Sequence, residues 1–491
     1  MYYMLISVFL LCSCQLEQKA VPDESEPSKV PFIWEGANLY FLLTDRFKNG
    51  DPSNDINFNR TEKTATLRGF EGGDIKGVIQ KIKDGYFSDL GVNVLWLSPI
   101  FEQIHKGTDE NSGYSYGFHG YWTKDWTALD PNFGTQHDLK ELIKEAHRKD
   151  IRIVLDAVVN HTGPVTDIDT VWPQDWVRTT PTCTYEDYES TVSCTLVQNL
   201  PDILTEHNED VELPIQLVEK WKKEGRYEQE IEELNLFFNT TGYPRAPRFY
   251  IMKWLSDYIA EYGIDGYRVD TVKHVEDYVW EEFREICDAA HEEFKRSHPK
   301  EFLEDEFYLI GEVYNYGISK GKIFDFGDKQ VNYFDNAFNS LINFDFKWNA
   351  KEWSYEMLFS EYSNKLHSEL SGYGTLNYIS SHDDGSPFDK MREKPIESGT
   401  KLLLAPGISQ MYYGDETARM LKVEGAQGDA NLRSKMNWEA LDDENTLKVL
   451  KHYQKLGQFR KRHPSIGAGI HKMLSEEPYV FKRIYELKSF K

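Results

Sequence analysis

The sequence predicts an α/β fold, a (β/α)8 barrel of the TIM type, and three observations point to it. Short apolar runs alternate with amphipathic helical stretches over most of the 491 residues,. Eight such runs can be counted, the number a closed parallel barrel needs. Polar and charged residues recur just after them, where the C-terminal ends of barrel strands gather an active site.

The runs are residues 38–47, 92–101, 151–159, 266–269, 307–313, one within 331–346, 376–381 and 408–413. Between the second and third, Leu139, Leu142, Ile143 and Ala146 make a helical apolar stripe after the turn at Asn132-Phe133-Gly134,. Ile251, Trp254, Leu255, Tyr258, Ile259 and Tyr262 do the same before the fourth run, and Val279, Phe283, Ile286, Cys287 and Ala290 after it,. About 80 residues separate His161 from Pro244, too many for a strand-to-helix loop, so an inserted subdomain is expected after strand three,. The expected layout is therefore barrel over 34–160 and 245–462, insertion over 161–244, and a short C-terminal β segment over 463–491. After His463-Pro464 only 27 residues remain, room for two or three strands such as 479–485,.

Lys plus Arg total 56 against 81 Asp plus Glu, and the net charge of −25 excludes a phosphate-backbone partner,. No nucleic acid is expected. At the N-terminus, residues 1–13 are short and apolar, and Leu11-Cys12-Ser13-Cys14 resembles the lipobox of bacterial lipoproteins,. Cleavage there would leave Cys14 as a lipid anchor on a tether over 14–33, whose 15–31 stretch is rich in Pro, Glu and Ser,. The expected location is thus exported, at the membrane surface, periplasmic or outside the cell. No later segment has the ~20 apolar residues of a membrane span. Cys287 falls on an apolar helix face, whereas Cys183 and Cys194 flank a polar, Thr-rich stretch and can close a small disulfide loop in an oxidising compartment,.

Four stretches carry the chemistry: Asp156 through Asn160-His161; Arg268, Asp270, Lys273 and His274; Glu312; and His382-Asp383. Each follows a strand-like run. Within 266–270 the period of two sets Arg268 and Asp270 on one face, where the guanidinium would hold the carboxylate ionised,. Carboxylates at three strand ends suit acetal cleavage, which needs a carboxylate on one face of the sugar, a protonated acid beside the leaving oxygen and a stabilised oxocarbenium-like transition state.

The four stretches, in order and spacing, resemble the motif regions of the α-amylase family of glycoside hydrolases, from about Trp34 to Arg462, with Gly-x-Arg-x-Asp-x-x-Lys-His intact at 266–274. The helix before that motif resembles the family's periplasmic bacterial branch. The resemblance implies Asp270 as nucleophile, Glu312 as general acid/base and Asp383 as the carboxylate holding sugar hydroxyls in the transition state. It implies retention of configuration, with the two reacting carboxylates about 5 to 5.5 Å apart, the Glu pKa raised and the Asp pKa lowered by Arg268. In Gly117-Phe118-His119-Gly120-Tyr121-Trp122, Tyr121 should stack on the sugar and His119 bind a hydroxyl; Phe118 stands where Tyr is common. His161, His382, Lys273 and His274 join the expected sugar contacts.

Calcium is the implied cofactor, since hard oxygen donors are available and no zinc spacing of Cys and His occurs. By resemblance Asn160, Asp202 and the His274 carbonyl form one site tying the insertion to the barrel. Asn49, Asp51, Asn54, Asp55, Gly72 and Asp74 resemble a second, seen in the cyclodextrin-forming branch. Leu200-Pro201-Asp202 and Lys273-His274 resemble enzymes of α-1,4 bonds. The segments 406–416 and 433–438, the latter opening on Arg433, read as scaffold. The chain departs from the family in its C-terminus, shorter than the usual β-sandwich, so either a minimal domain or a truncated chain is expected, and truncation would expose apolar barrel surface. The expected partner is an α-glucan such as starch or maltodextrin. A transglycosylase or a non-catalytic glucan-binding protein are the alternatives.

Overall fold

In the computed structural model, residues 30–299, Leu303 and residues 305–486 are described; the expected leader, Cys14 and most of the tether lie outside them. Eight strands, β1 (Asn38–Leu42), β2 (Val94–Leu97), β3 (Arg152–Ala157), β4 (Gly266–Val269), β5 (Tyr308–Gly311), β6 (Ser340–Asn343), β7 (Gly374–Tyr378) and β8 (Ile408–Tyr412), pair in parallel and close into a barrel in chain order. Each of the eight expected runs holds or overlaps one barrel strand. The strands are buried along their whole length, which is why they read as near-continuous apolar segments rather than as alternations,.

Two runs are longer than their strands for local reasons. The first turns at Leu43 into a short helix, Thr44–Phe47. The second breaks at Ser98-Pro99, since proline has no N–H for the ladder, and Phe101–Gln103 then pairs antiparallel with Thr123–Leu129 outside the barrel,.

The main helices are α1 (Ile75–Lys83), α2 (Gln136–Arg148), α3 (Ile215–Glu224), α4 (Tyr227–Thr241), α5 (Pro247–Tyr262), α6 (Val279–Ser297), α7 (Tyr355–His367), α8 (Pro395–Leu404) and α9 (Glu444–Arg462). Thr135 and Asp138 form a reciprocal capping box that starts α2, and its buried face is the stripe Leu139, Leu142, Ile143 and Ala146,. α5 is buried nearly all round. Its Trp254 stacks on Trp176 with ring centroids 6.3 Å apart and meets Trp221 edge-on at 6.2 Å. Those two tryptophans belong to the long connection after β3, so the connection is packed onto the barrel by aromatic burial. The same connection carries α3, α4 and the Cys183–Cys194 disulfide. Cys287 is a buried free thiol on α6.

At the chain's other end, β9 (Ile470–Ser475) and β10 (Val480–Ile484) form an antiparallel hairpin. Phe481 and His471 pack on Phe359 of α7 at 5.5 and 5.9 Å between centroids. The opposite face leaves Ile470, Leu474 and Ile484 more than half exposed. Arg460 of α9 is fully buried and donates to the carbonyls of Ala37, Leu403, Ala405 and Gly407, which ties that helix to the strand starts.

Candidate active site

One guanidinium organises the C-terminal mouth of the barrel. Arg268 points inward from β4, opposite Asp156 of β3 in the parallel register, and is 1% exposed. Its Nη1 donates to Asp156 Oδ1 and to Asp270 Oδ1, both at 2.8 Å, while Nη2 lies 2.8 Å from Glu312 Oε2. Three carboxylates from three adjacent strand ends thus share one cation. Trp96 and Tyr121 place their rings 5.2 and 5.6 Å from that guanidinium and also donate, through indole N–H and phenol O–H, to Asp156 Oδ2. Asp156 has no exposed surface and spends both oxygens on neighbours, so it holds the arrangement together from below.

The electrostatics follow from sharing. Burial pushes the Glu312 carboxyl up to about 8, against the pull of Arg268 and with help from the charges of Asp270 and Asp383. The Thr271 N–H donates to Glu312 Oε2 at 3.1 Å. Burial also pushes Asp270 up to about 6, again opposed by Arg268 and reinforced by Asp156 and Asp383. The expectation that Arg268 would depress Asp270 is therefore corrected. A single positive charge divided among three buried carboxylates does not offset the desolvation of each. The order needed for paired acid and base work survives, with Glu312 above Asp270.

Asp383 sits five residues beyond the end of β7 on the rim, and its side chain is 36% exposed. Its acidity is enhanced: burial acts upward, but His382, Arg268 and Arg433 together bring its pKa below the usual carboxylate value. Tyr121 and His382 stack nearly parallel at 5.2 Å, and Phe41 meets His382 edge-on at the same distance. His119 lies beside Tyr121, with ring centroids 5.8 Å apart. Burial keeps the histidines neutral, pushing His382 down to about 3 and His161 and His274 to about 4. His161 pairs its Nε2 with the Tyr121 carbonyl at 3.1 Å, and His274 its Nδ1 with the Thr191 carbonyl at 3.0 Å. Lys273 is ringed by Tyr185, Tyr314 and Phe324, each within 6 Å of its ammonium, and burial lowers its pKa.

Both expected calcium sets are brought together in part. Asn160 Oδ1 is buried without a hydrogen-bond partner, and Asp202 is buried nearby with Arg178 Nε 2.8 Å from its Oδ2. In the other set Asn54 Oδ1 is likewise orphaned, and a Cβ on Gly72 would meet Asn49 Nδ2 at 2.6 Å and Asp55 Oδ1 at 2.8 Å. There, however, Asp74 accepts from the backbone of Gly50, Asp51 and Gly77, and Asp51 binds Lys76 and Ser53. These two carboxylates serve as helix cap and Asx turn. Among the described residues no three His, Cys, Asp or Glu side chains converge as a metal cluster. Buried amide oxygens without partners fit a hard cation.

Several contributors escape a reading of motifs. Arg433, taken as scaffold, donates from Nε to the His382 carbonyl at 2.9 Å. Trp96 looks like core until its indole N–H is seen on Asp156. Lys347 and Tyr378 reach Asp384 from β6 and β7 sides, and nothing in their spacing signals it.

The alpha-amylase catalytic-domain model matches residues 41–441. A periplasmic alpha-amylase of Escherichia coli K12 is 33% identical over 92% of this chain and 70% of its own length. A cyclomaltodextrin glucanotransferase of Niallia circulans is 27% identical over 94% of the chain, which spans only 59% of that enzyme. Among solved structures, an Anoxybacillus alpha-amylase superposes with a TM-score of 0.64 at 24% identity, covering 93% of this chain and 86% of its own. With the barrel, the shared guanidinium and the three rim carboxylates in place, the chain belongs to the alpha-amylase catalytic-domain family of glycoside hydrolases.

Proposed function

We propose that the protein hydrolyses internal α-1,4-glucosidic bonds of starch or maltodextrins with retention of configuration. The observation that carries this reading is the single buried Arg268 guanidinium holding Asp270 and Glu312 together while Glu312 titrates near 8 and Asp270 near 6. At neutral pH one group is then ionised and the other protonated. The Asp270 carboxylate attacks the anomeric carbon as Glu312 gives its proton to the departing glycosidic oxygen, leaving a glycosyl ester on Asp270. Glu312, now a carboxylate, takes a proton from the water that cleaves that ester. The short span of one guanidinium suits a retaining pair, which leaves no room for a water between the carboxylates. Asp383 would hold the ring hydroxyls, and Tyr121 with His382 and His119 would give the sugar a stacking wall.

Calcium would be held by Asn160 and Asp202 between insertion and barrel, and by Asn49, Asn54, Asp55 and Gly72 in the other set; bound there it would supply cross-linking charge rather than chemistry. The segments 161–244 and 463–491 would then be an inserted domain and a C-terminal β unit flanking the catalytic barrel. Export is supported by the disulfide and by the similarity to a periplasmic relative,. A lipid on Cys14 would anchor it, testable by mass spectrometry of the mature N-terminus.

The decisive experiment is reducing-end release from soluble starch by the wild type and by Asp270→Asn. Mixed linear maltooligosaccharides, lost in the variant, support the hydrolase. The similarity to a cyclomaltodextrin glucanotransferase supports the rival transglycosylase reading, which cyclic or lengthened products would establish.

A further inference from the structure

Asp383 is held weakly by its own contacts. Ser381 Oγ reaches its Oδ1 at 3.4 Å and His382 Nδ1 lies at 3.8 Å. Its neighbours on either side are held firmly. Upstream, His382 is clasped by Arg433 at its carbonyl and by Tyr121 and Phe41 at its ring. Downstream, Asp384 Oδ2 accepts from the Tyr378 hydroxyl at 2.6 Å and is ion-paired with Lys347, and Oδ1 accepts from the Ser386 N–H at 3.0 Å. Lys347 comes from the short helix Phe346–Glu352 after β6, and Tyr378 ends β7. The paired side chains are 7% and 10% exposed.

A buried Lys–Asp pair is a poor source of net stability, because desolvating both charges takes back most of their attraction. It does restrict geometry, and here it restricts the residue next to a rim carboxylate. We propose that Lys347, Asp384 and Tyr378 are positioning residues that set where Asp383 meets the sugar hydroxyls in the transition state. The inference rests on the hydrolase reading above. Arg433 and the Lys347 pair hold the residues before and after Asp383, and Asp383 itself keeps only the long Ser381 bond, which competes weakly with a sugar.

The test uses the full chain, with kcat and KM measured on a maltooligosaccharide, the inhibition constant of an oxocarbenium-like inhibitor such as acarbose, and thermal melts to normalise for folded protein. Lys347→Met is expected to lower kcat about 10- to 100-fold, the cost of a misplacement near 1 Å, with KM changed less than about threefold and inhibitor affinity weakened by the same factor as kcat. Asp384→Asn keeps the shape and the Tyr378 bond and should act in the same direction. Lys347→Arg should restore part of the loss. Because both substitutions break the same Lys347–Asp384 contact, Lys347→Met/Asp384→Asn should be no worse than the more impaired single variant. Folded single variants with kcat within about twofold of an active wild type overturn the inference alone, as does an additive loss in the double variant. An inactive wild type in the same assay overturns the hydrolase reading and this inference with it.

Discussion

Arg268 shows how one residue sets the protonation of three. With Asp156, Asp270 and Glu312 around a single charge, full ionisation would leave two uncompensated carboxylates in a dry site, so Glu312, whose pKa is raised furthest, keeps its proton,. Activity should then be bell-shaped in pH, rising as Asp270 ionises near 6 and falling as Glu312 loses its proton near 8,. A kcat/KM profile with a plateau extending well beyond both values would contradict the assignment. The same shift acts on stability. A carboxyl whose folded pKa is raised binds its proton more tightly when folded, so stability declines as pH climbs from its unfolded value of 4.5 towards 8,. Glu312→Gln removes that decline and should melt higher than the wild type at pH 8.5 while differing little at pH 4. Arg268→Met should do the reverse at neutral pH, leaving buried charges unpaired, at a cost of about 3 to 5 kcal/mol by analogy with broken buried pairs, read from denaturant melts.

At the scale of elements, caps and cross-links hold the parts that carry the site. The α2 capping box satisfies donors at both Thr135 and Asp138, and Thr135→Ala should cost about 1 kcal/mol with kcat unchanged, since α2 lies on the barrel's outside,. The disulfide loop is different. Between Cys183 and Cys194 it presents Thr191 to His274 and Tyr188 to Asp277, both just after β4. Cys183→Ser/Cys194→Ser should lower stability by about 3 kcal/mol for a loop of this length, and should raise KM for long maltooligosaccharides more than it lowers kcat on short ones, because Tyr185 beside Lys273 belongs to that loop.

At the scale of the whole molecule, the net charge of −25 must be carried by a fold with an acidic core at its mouth. Bound cations would relieve part of that repulsion. Chelation followed by calcium readdition should shift the melting temperature down and back up by several degrees, and Asn160→Ala should abolish most of that response; an unshifted melt in the chelated wild type would remove calcium from the reading. Arg460 performs the matching task at the barrel's other end, where four carbonyls depend on its donors. Arg460→Leu should destabilise by about 3 kcal/mol through those unpaired acceptors, without altering the pH profile.

The sequence by itself determined the barrel and the identity of its rim residues. Eight apolar runs, and the clustering of Arg268, Asp270, Glu312 and His382-Asp383 at the ends of three of them, are local patterns that burial on a parallel sheet enforces. It also located the disulfide and the helical stripe of α2. What only the tertiary structure decided were the quantities that depend on neighbours from other strands. Asp156 lies more than a hundred residues from Arg268 in the chain yet opposite it in register, and it adds to the burial that raises Asp270 to about 6. Likewise the Lys347–Asp384 pair and the Arg433 bond to His382 join residues from different strand ends. Periodicity reports which face of an element is buried; it carries no record of which charge will lie across from it, and it is that distance that sets the electrostatics.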